Sequence, residues 1–177
     1  YEDKSPEKLT LAQQQNMAMP GFGGKFGGAA YYFDGTSFLK YTVPEGSSAL
    51  FGTGNFTIDF WHYMPAGTSL KDYATWFSTY DYNNLGIIIA QHVGNGTYGV
   101  WNNGSWLNTA VTLLTDQWAH VAVVRKSTAT GDTTYYLNGT AIGPALTDAT
   151  DYDTPDTPEF LLGSLYTANT AYFKRNR

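Results

Sequence analysis

The sequence has no cysteine, so no disulfide supports the fold, whatever its compartment. Charge is scarce too. Charged residues are 14% of the chain, and 15 acids against 10 bases leave a formal net charge of -5. That is not the basic footprint nucleic-acid binding needs. No apolar run approaches the ~20 residues of a membrane-spanning helix. Heptads, low-complexity tracts and fixed-period repeats are missing as well. No signal peptide is present, and the chain starts at Tyr1 rather than Met, which points to a processed product or a segment of a longer one.

What the chain does have is aromatic side chains, 16% of residues, with 14 Tyr and 5 Trp. That balance suits amphipathic sheets better than a helical bundle. A length of 177 residues suits one domain with a core that needs no staples. The stretch that organises it is Phe51 to Met64, F-G-T-G-N-F-T-I-D-F-W-H-Y-M. Phe56, Ile58 and Phe60 fall two apart and project to one face of a strand; Thr57, Asp59, Trp61 and Tyr63 project to the other. It reads as a central strand with one face on the core and one lined by aromatic and polar groups.

Further strands recur with turn signals between them, the pattern of a sandwich. They are expected at 30–33, 37–43, 74–80, 85–91, 97–101, 107–113, 117–125, 133–137, 141–142 and 160–163. Residues 117–125, Q-W-A-H-V-A-V-V-R, are nearly continuously apolar, which suggests burial on both faces. Asn138-Gly139 is a hairpin turn signal. Residues 1–24 differ. The spacing of Leu9, Leu11, Ala12, Met17 and Met19 fits neither helix nor strand, and G-F-G-G-K-F-G-G at 21–28 is too glycine-rich for a regular element. The expected organisation is an irregular N-terminal arm or linker, 1–24, before a β-sandwich domain, 25–177.

Three stretches then carry a resemblance: F-G-G-A-A-Y-Y-F-D-G-T-S-F-L at 26–39, F-G-T-G-N-F-T-I-D-F-W at 51–61, and W-A-H-V-A-V-V-R with Y-Y-L-N-G within 118–139. Together they resemble the laminin-G-like, concanavalin A-like lectin/glucanase superfamily over about residues 25–165. The wording around K-F-G-G-A and Y-F-D-G looks most like the copies in bacteriophage tail and other virion proteins. The resemblance implies an all-β, two-sheet antiparallel jelly roll, usually non-catalytic, often holding glycans or other proteins. Its location would be a virion surface, with other virion proteins and further copies of itself as partners, without nucleic acid or membrane insertion. The alternative is a polysaccharide-binding module of a secreted bacterial protein. After F-L-L-G-S, relatives usually continue with a strand of the type G-x-I-D-E-V-R-I; here the chain reads A-Y-F-K-R-N-R and stops at Arg177. An edge left so would be covered by a neighbour, and the arm would dock on one too.

Hydrolysis of polysaccharides needs two carboxylates across the sugar bond. The superfamily's glucanases carry a pattern like E-x-D-x-x-E, whereas here Asp59 stands alone, with Thr57 before it and His62 after. The expectation is therefore no enzyme. His62, His92 and His120 show no metal-ligand spacing. Asp148, Asp151, Asp153, Asp156 and Glu159 crowd one loop, with Asp34 in a D-G turn elsewhere. Two readings stay open: a solvated acidic run, or a structural calcium held by Asp34, Asp151, Asp153 and Asp156. Four N-x-S/T triplets occur, and N-G turn chemistry accounts for those at Asn95, Asn103 and Asn138.

The stretch V-W-N-N-G-S-W carries the best binding motif. A two-residue Asn103-Gly104 turn sets Asn102 opposite Ser105 and Trp101 opposite Trp106. Either the indole pair packs on the sheet, or it makes a platform with Asn102, Asn103 and Asn108 as nearby hydrogen-bonding groups. Tyr82 and Asn83 belong to a second aromatic and amide cluster, Y-D-Y-N-N at 80–84. These are the expected glycan contacts.

Overall fold

The computed structural model describes residues 10–15, 23–35, 37–44, 51–68, 73–79, 86–92, 96–102, 105–152 and 159–164; for 10–15, 92, 102 and 105 it describes the backbone alone. Eleven strands and no helix occur among them: β1 (Thr10–Gln15), β2 (Phe38–Thr42), β3 (Phe56–Tyr63), β4 (Thr75–Ser78), β5 (Ile87–His92), β6 (Thr97–Asn102), β7 (Ser105–Thr112), β8 (Trp118–Arg125), β9 (Thr133–Leu137), β10 (Thr140–Leu146) and β11 (Glu159–Leu162). Two antiparallel sheets form a jelly-roll sandwich. One has seven strands in the order β1-β2-β11-β4-β5-β6-β7, the other four in the order β10-β9-β8-β3.

The period-two pattern of β3 does what it predicts. Its burial alternates, with Phe56, Ile58 and His62 inside and Thr57, Asp59, Trp61 and Tyr63 outside. Phe56, Ile58, Ala119, Val121, Val123, Tyr135 and Leu137 from the smaller sheet meet Phe77, Ile87, Ile89, Tyr98 and Val100 from the larger one in a single core. The β9–β10 hairpin turns at Asn138 (φ 49°) and Gly139 (φ 80°), both in the left-handed region, as the two-residue turn that matches strand twist requires.

Four readings need correction. First, β3 is not central: it pairs with β8 along its whole length and is the outermost strand of its sheet among the described residues. A strand's alternation reports which face is buried, not how many neighbours it has. Second, within the segment expected to be irregular, Thr10–Gln15 forms a strand on β2 of the same chain. Its backbone supplies the pairing, so the sequence need not alternate. Third, β8 lies between β3 and β9, yet its outer face is only partly buried, at Trp118, His120 and Val124. Fourth, residues 30–33 contribute an isolated bridge at Tyr32 and no strand.

One end of the core is closed by a buried cation. Arg125 is 1% exposed. Its guanidinium donates to the carbonyls of Gly54 (2.8 Å), Thr150 (2.8 Å) and Gly52 (2.7 Å) and lies 3.6 Å from the Asp148 carboxylate. The Phe56 and Tyr152 rings flank it at 4.7 and 5.1 Å. Arg125 thereby ties the turn before β3 to the loop after β10.

Candidate functional site

The Asn102↔Ser105 register places Trp101 opposite Trp106 on adjacent strands. Alternation along β5 and β6 sends Ile87, Ile89, Tyr98 and Val100 to the core, and Ile88, Ala90 and Trp101 to the other face of the seven-stranded sheet. There a second apolar cluster forms, with Ile88 and Ala90 as its floor and Tyr73, Trp101 and Trp106 packed above. Gly99, paired with Ala90, adds no side chain to that floor. The Trp101 and Trp106 ring centroids are 5.6 Å apart and tilted by 58°. The Tyr73 ring stacks on Trp106 at 5.0 Å and 23°. Both tryptophans are half-buried, so the pair packs on the sheet and still presents ring surface to solvent.

Two features mark this cluster. Tyr73 sits at φ 61°, a conformation that costs a non-glycine residue about 1 kcal/mol or more. The indole N–H of Trp101 is buried and has no acceptor among the described residues. Asn108, opposite Gly99, accepts from Thr97 Oγ1 (2.9 Å) and from Ala110 N (2.8 Å) through its Oδ1, which fixes the amide at the cluster's edge. Of the expected contacts, Trp101 and Trp106 come together, and the backbone of Asn102 lies beside them. Asn103, Tyr82 and Asn83 lie outside the described residues. Tyr73 was not foreseen, because nothing in K-D-Y-A-T links it to a hairpin over thirty residues later.

The acidic residues are placed differently. The Asp148 side chain is fully buried and serves Arg125, the Tyr152 hydroxyl (2.9 Å) and the Thr150 amide (3.0 Å). Burial and the adjacent carboxylate push the Tyr152 hydroxyl well above its usual pKa. Glu159 pairs with Lys40 at 2.6 Å. Asp34 accepts from Ser37 Oγ at 2.6 Å, and Asp151 is exposed. Asp153 and Asp156 lie outside the described residues. Among the described residues no group of three His, Cys, Asp or Glu side chains is placed to hold a metal ion.

Asp59 lies on the outer face of the four-stranded sheet, 3.6 Å from His120 Nε2. Its cross-strand neighbour is Ala122, with His120 and Val124 on the diagonals, so β8 offers no second carboxylate there. His62 is in the core, its Nε2 3.1 Å from the Tyr98 hydroxyl. Burial lowers its pKa to about 4, so the imidazole is neutral near pH 7. His92 ends β5, and its side chain lies outside the described residues.

An all-β sandwich of two antiparallel sheets is the architecture of concanavalin A-like domains. The family model described as "Laminin_G_3: Concanavalin A-like lectin/glucanases superfamily" matches residues 33–174, and the chain belongs to that family. Among solved structures it is similar to domain 4 of AbnA, a GH43 extracellular arabinanase from Geobacillus stearothermophilus solved in complex with arabinotriose. There the TM-score is 0.62 and the identity 21%, over 90% of this chain and 71% of that one. The carbohydrate-binding module CBM66 from Bacillus subtilis matches with a TM-score of 0.47 and 13% identity, over 87% of this chain and 85% of that one. A heptameric SAP-like pentraxin from Limulus polyphemus gives 0.43 and 15%, over 81% and 73%. No curated protein sequence matches the chain.

Proposed function

We propose that the domain is a non-catalytic glycan-binding module whose site is the Tyr73–Trp106–Trp101 cluster on the outer face of the seven-stranded sheet. The observation that carries this reading is the partly exposed Trp101–Trp106 indole pair with the Tyr73 ring stacked on it. A pyranose or furanose ring lays its C–H face on an indole, while its hydroxyls take directional hydrogen bonds at the edge. Asn108 is the described amide at that edge; Asn102 and Asn103 of the hairpin, and Tyr82 and Asn83 of the second aromatic and amide cluster, stay as the sequence's candidate contacts. The isolated position of Asp59 supports a binding role over hydrolysis.

The setting rests on the sequence resemblance: a virion surface, in contact with other virion proteins and with copies of the chain. The second reading, a module of a secreted polysaccharide-active protein, is favoured by the fold likeness to the arabinanase domain. The two settings differ in ligand, bacterial envelope polysaccharide for the first and arabinan or β-glucan for the second.

Affinity electrophoresis through gels containing each of these polymers tests the proposal. Retardation that Trp106→Ala weakens, with the fold retained, is the expected result. Equal mobility of wild type and Trp106→Ala in every retarding gel overturns the assigned site. Release of reducing ends from laminarin or lichenan that disappears in Asp59→Asn overturns the non-catalytic reading.

A further inference from the structure

The outer face of the four-stranded sheet is the more exposed aromatic surface. Phe26 (80%), Tyr63 (46%) and Trp61 (38%) are the exposed large apolar side chains among the described residues, and all three belong to this face. The register of β3 with β8 sets Trp61 against His120 and Tyr63 against Trp118. Their ring centroids are 5.0 and 5.7 Å apart. Trp61 and Tyr63, two residues apart on one strand, are spaced by about 7 Å. Phe26 meets Trp61 edge-on at 5.7 Å, and the Lys25 ammonium lies 4.8 Å over the Trp61 ring.

The loop that presents Lys25 and Phe26 is built for its shape. Gly24 N donates to Gly28 O, and Gly27 N to Gly24 O. A Cβ on Gly24 would stand 2.8 Å from Gly28 O and 2.9 Å from Ala29 O, and Gly27 holds φ at 79°. The glycine-rich stretch is thus a tight turn with Lys25 and Phe26 at its tip.

Polar groups interrupt the rings. The Asp59 carboxylate lies 3.6 Å from His120 Nε2, with side-chain exposures of 57% and 29%. This mixture selects the occupant. Protein interfaces are depleted of charge at their centres, and a dry partner would bury Asp59 and Lys25 at a desolvation cost. A hydrocarbon surface would do the same. The net charge of -5 disfavours a nucleic acid. A saccharide satisfies both kinds of group: its C–H face lies on Trp61 and Tyr63, its hydroxyls donate to Asp59 and accept from Lys25.

We infer that this face is a second saccharide-binding surface, formed by Trp61, Tyr63, Asp59, His120, Lys25 and Phe26. It stands without the Tyr73–Trp106–Trp101 site; if that site also binds, one domain joins two glycan segments from opposite faces.

The test compares the whole chain with Trp61→Ala, Tyr63→Ala, Trp106→Ala and Trp61→Ala/Trp106→Ala in gels containing linear arabinan, laminarin or bacterial envelope polysaccharide. Each ring contributes roughly three- to tenfold in affinity. Partial loss of retardation in each single variant, complete loss in the double variant, and light-scattering aggregates with polymer for wild type alone are expected. Wild-type binding by Trp61→Ala and Tyr63→Ala, with none by Trp106→Ala, overturns the second surface and leaves the first site standing. No retardation of wild type in any gel overturns both. A concentration-dependent dimer that Trp61→Ala dissolves identifies a protein interface and overturns the inference. Should Trp61→Ala unfold, Tyr63→Ala and Phe26→Ala decide by the same criteria.

Discussion

His62 Nε2 lies 3.1 Å from the Tyr98 hydroxyl, a hydrogen bond that joins the two sheets through the core. The His62 ring also packs against Trp76 and Tyr98, at 4.9 and 5.7 Å, and those two rings stack on each other. Its Nδ1 is buried without a partner among the described residues. The Tyr98 hydroxyl in turn accepts the Leu114 amide at 3.3 Å, and burial raises the pKa of Tyr98. Among the described residues no carboxylate pairs with this ring, so protonation would place an uncompensated charge in the core.

A pH dependence follows. The folded state holds the His62 pKa at about 4, against 6.5 in the unfolded chain. Below pH 6.5 the unfolded state takes up a proton that the folded state refuses. Stability from this residue is therefore complete above pH 6.5 and is lost as pH falls toward 4, by about 3 kcal/mol in all. Chemical denaturation of wild type and His62→Phe across pH 4 to 7 measures it. The variant should have the shallower profile; parallel profiles would refute the assignment.

Arg125 and Asp148 make the second prediction. Both side chains are wholly buried, so truncating one partner strands the other charge. Asp148→Ala should cost about 3–5 kcal/mol of unfolding free energy. Arg125→Met should cost as much, because it also frees three carbonyls. A double-mutant cycle should show strong coupling, with the double variant much less damaged than the sum. Additive effects would mean that the pair does not act as a unit.

The Trp101 N–H can be tested by itself. Trp101→Phe keeps a ring on Ile88 and Ala90 and removes the buried donor. The fold should be unharmed or stabilised by about 1 kcal/mol, since an unsatisfied buried N–H is a cost in the free domain. Glycan affinity should fall, because the smaller ring offers a ligand less stacking surface. Denaturation midpoints and affinity electrophoresis on the same preparation separate the two effects.

Gly163 is a packing constraint after β11. It holds φ at 80°, and a Cβ there would lie 2.3 Å from Phe33 Cδ1. Gly163→Ala should destabilise the domain by about 2 kcal/mol or more, through both the backbone and the clash. Phe33→Ala combined with it should recover part of the loss. A melting midpoint of Gly163→Ala equal to wild type would contradict the packing described.

The strands were legible because face alternation is a local property. Phe56, Ile58 and Phe60 announce a buried face wherever the strand ends up, and N-G turns fix which residues stand opposite, as for Trp101 and Trp106. The same locality explains the misreadings. Edge or centre is a matter of neighbours, so β3 read as central and proved outermost. Thr10–Gln15 has no alternation to detect, because its pairing uses the backbone.

The amino-acid sequence determined that the chain is an all-β sandwich, where its turns fall, and that aromatic side chains crowd both the Trp hairpin and the outer side of β3. Only the tertiary structure decided which of them meet. Tyr73 reaches Trp106, Lys25 reaches Trp61, and Asp148 turns inward to Arg125, all across long stretches of chain. The reason is physical: spacing along a strand sets which face a side chain takes, while contacts between distant segments are set by how the sheets and loops pack together.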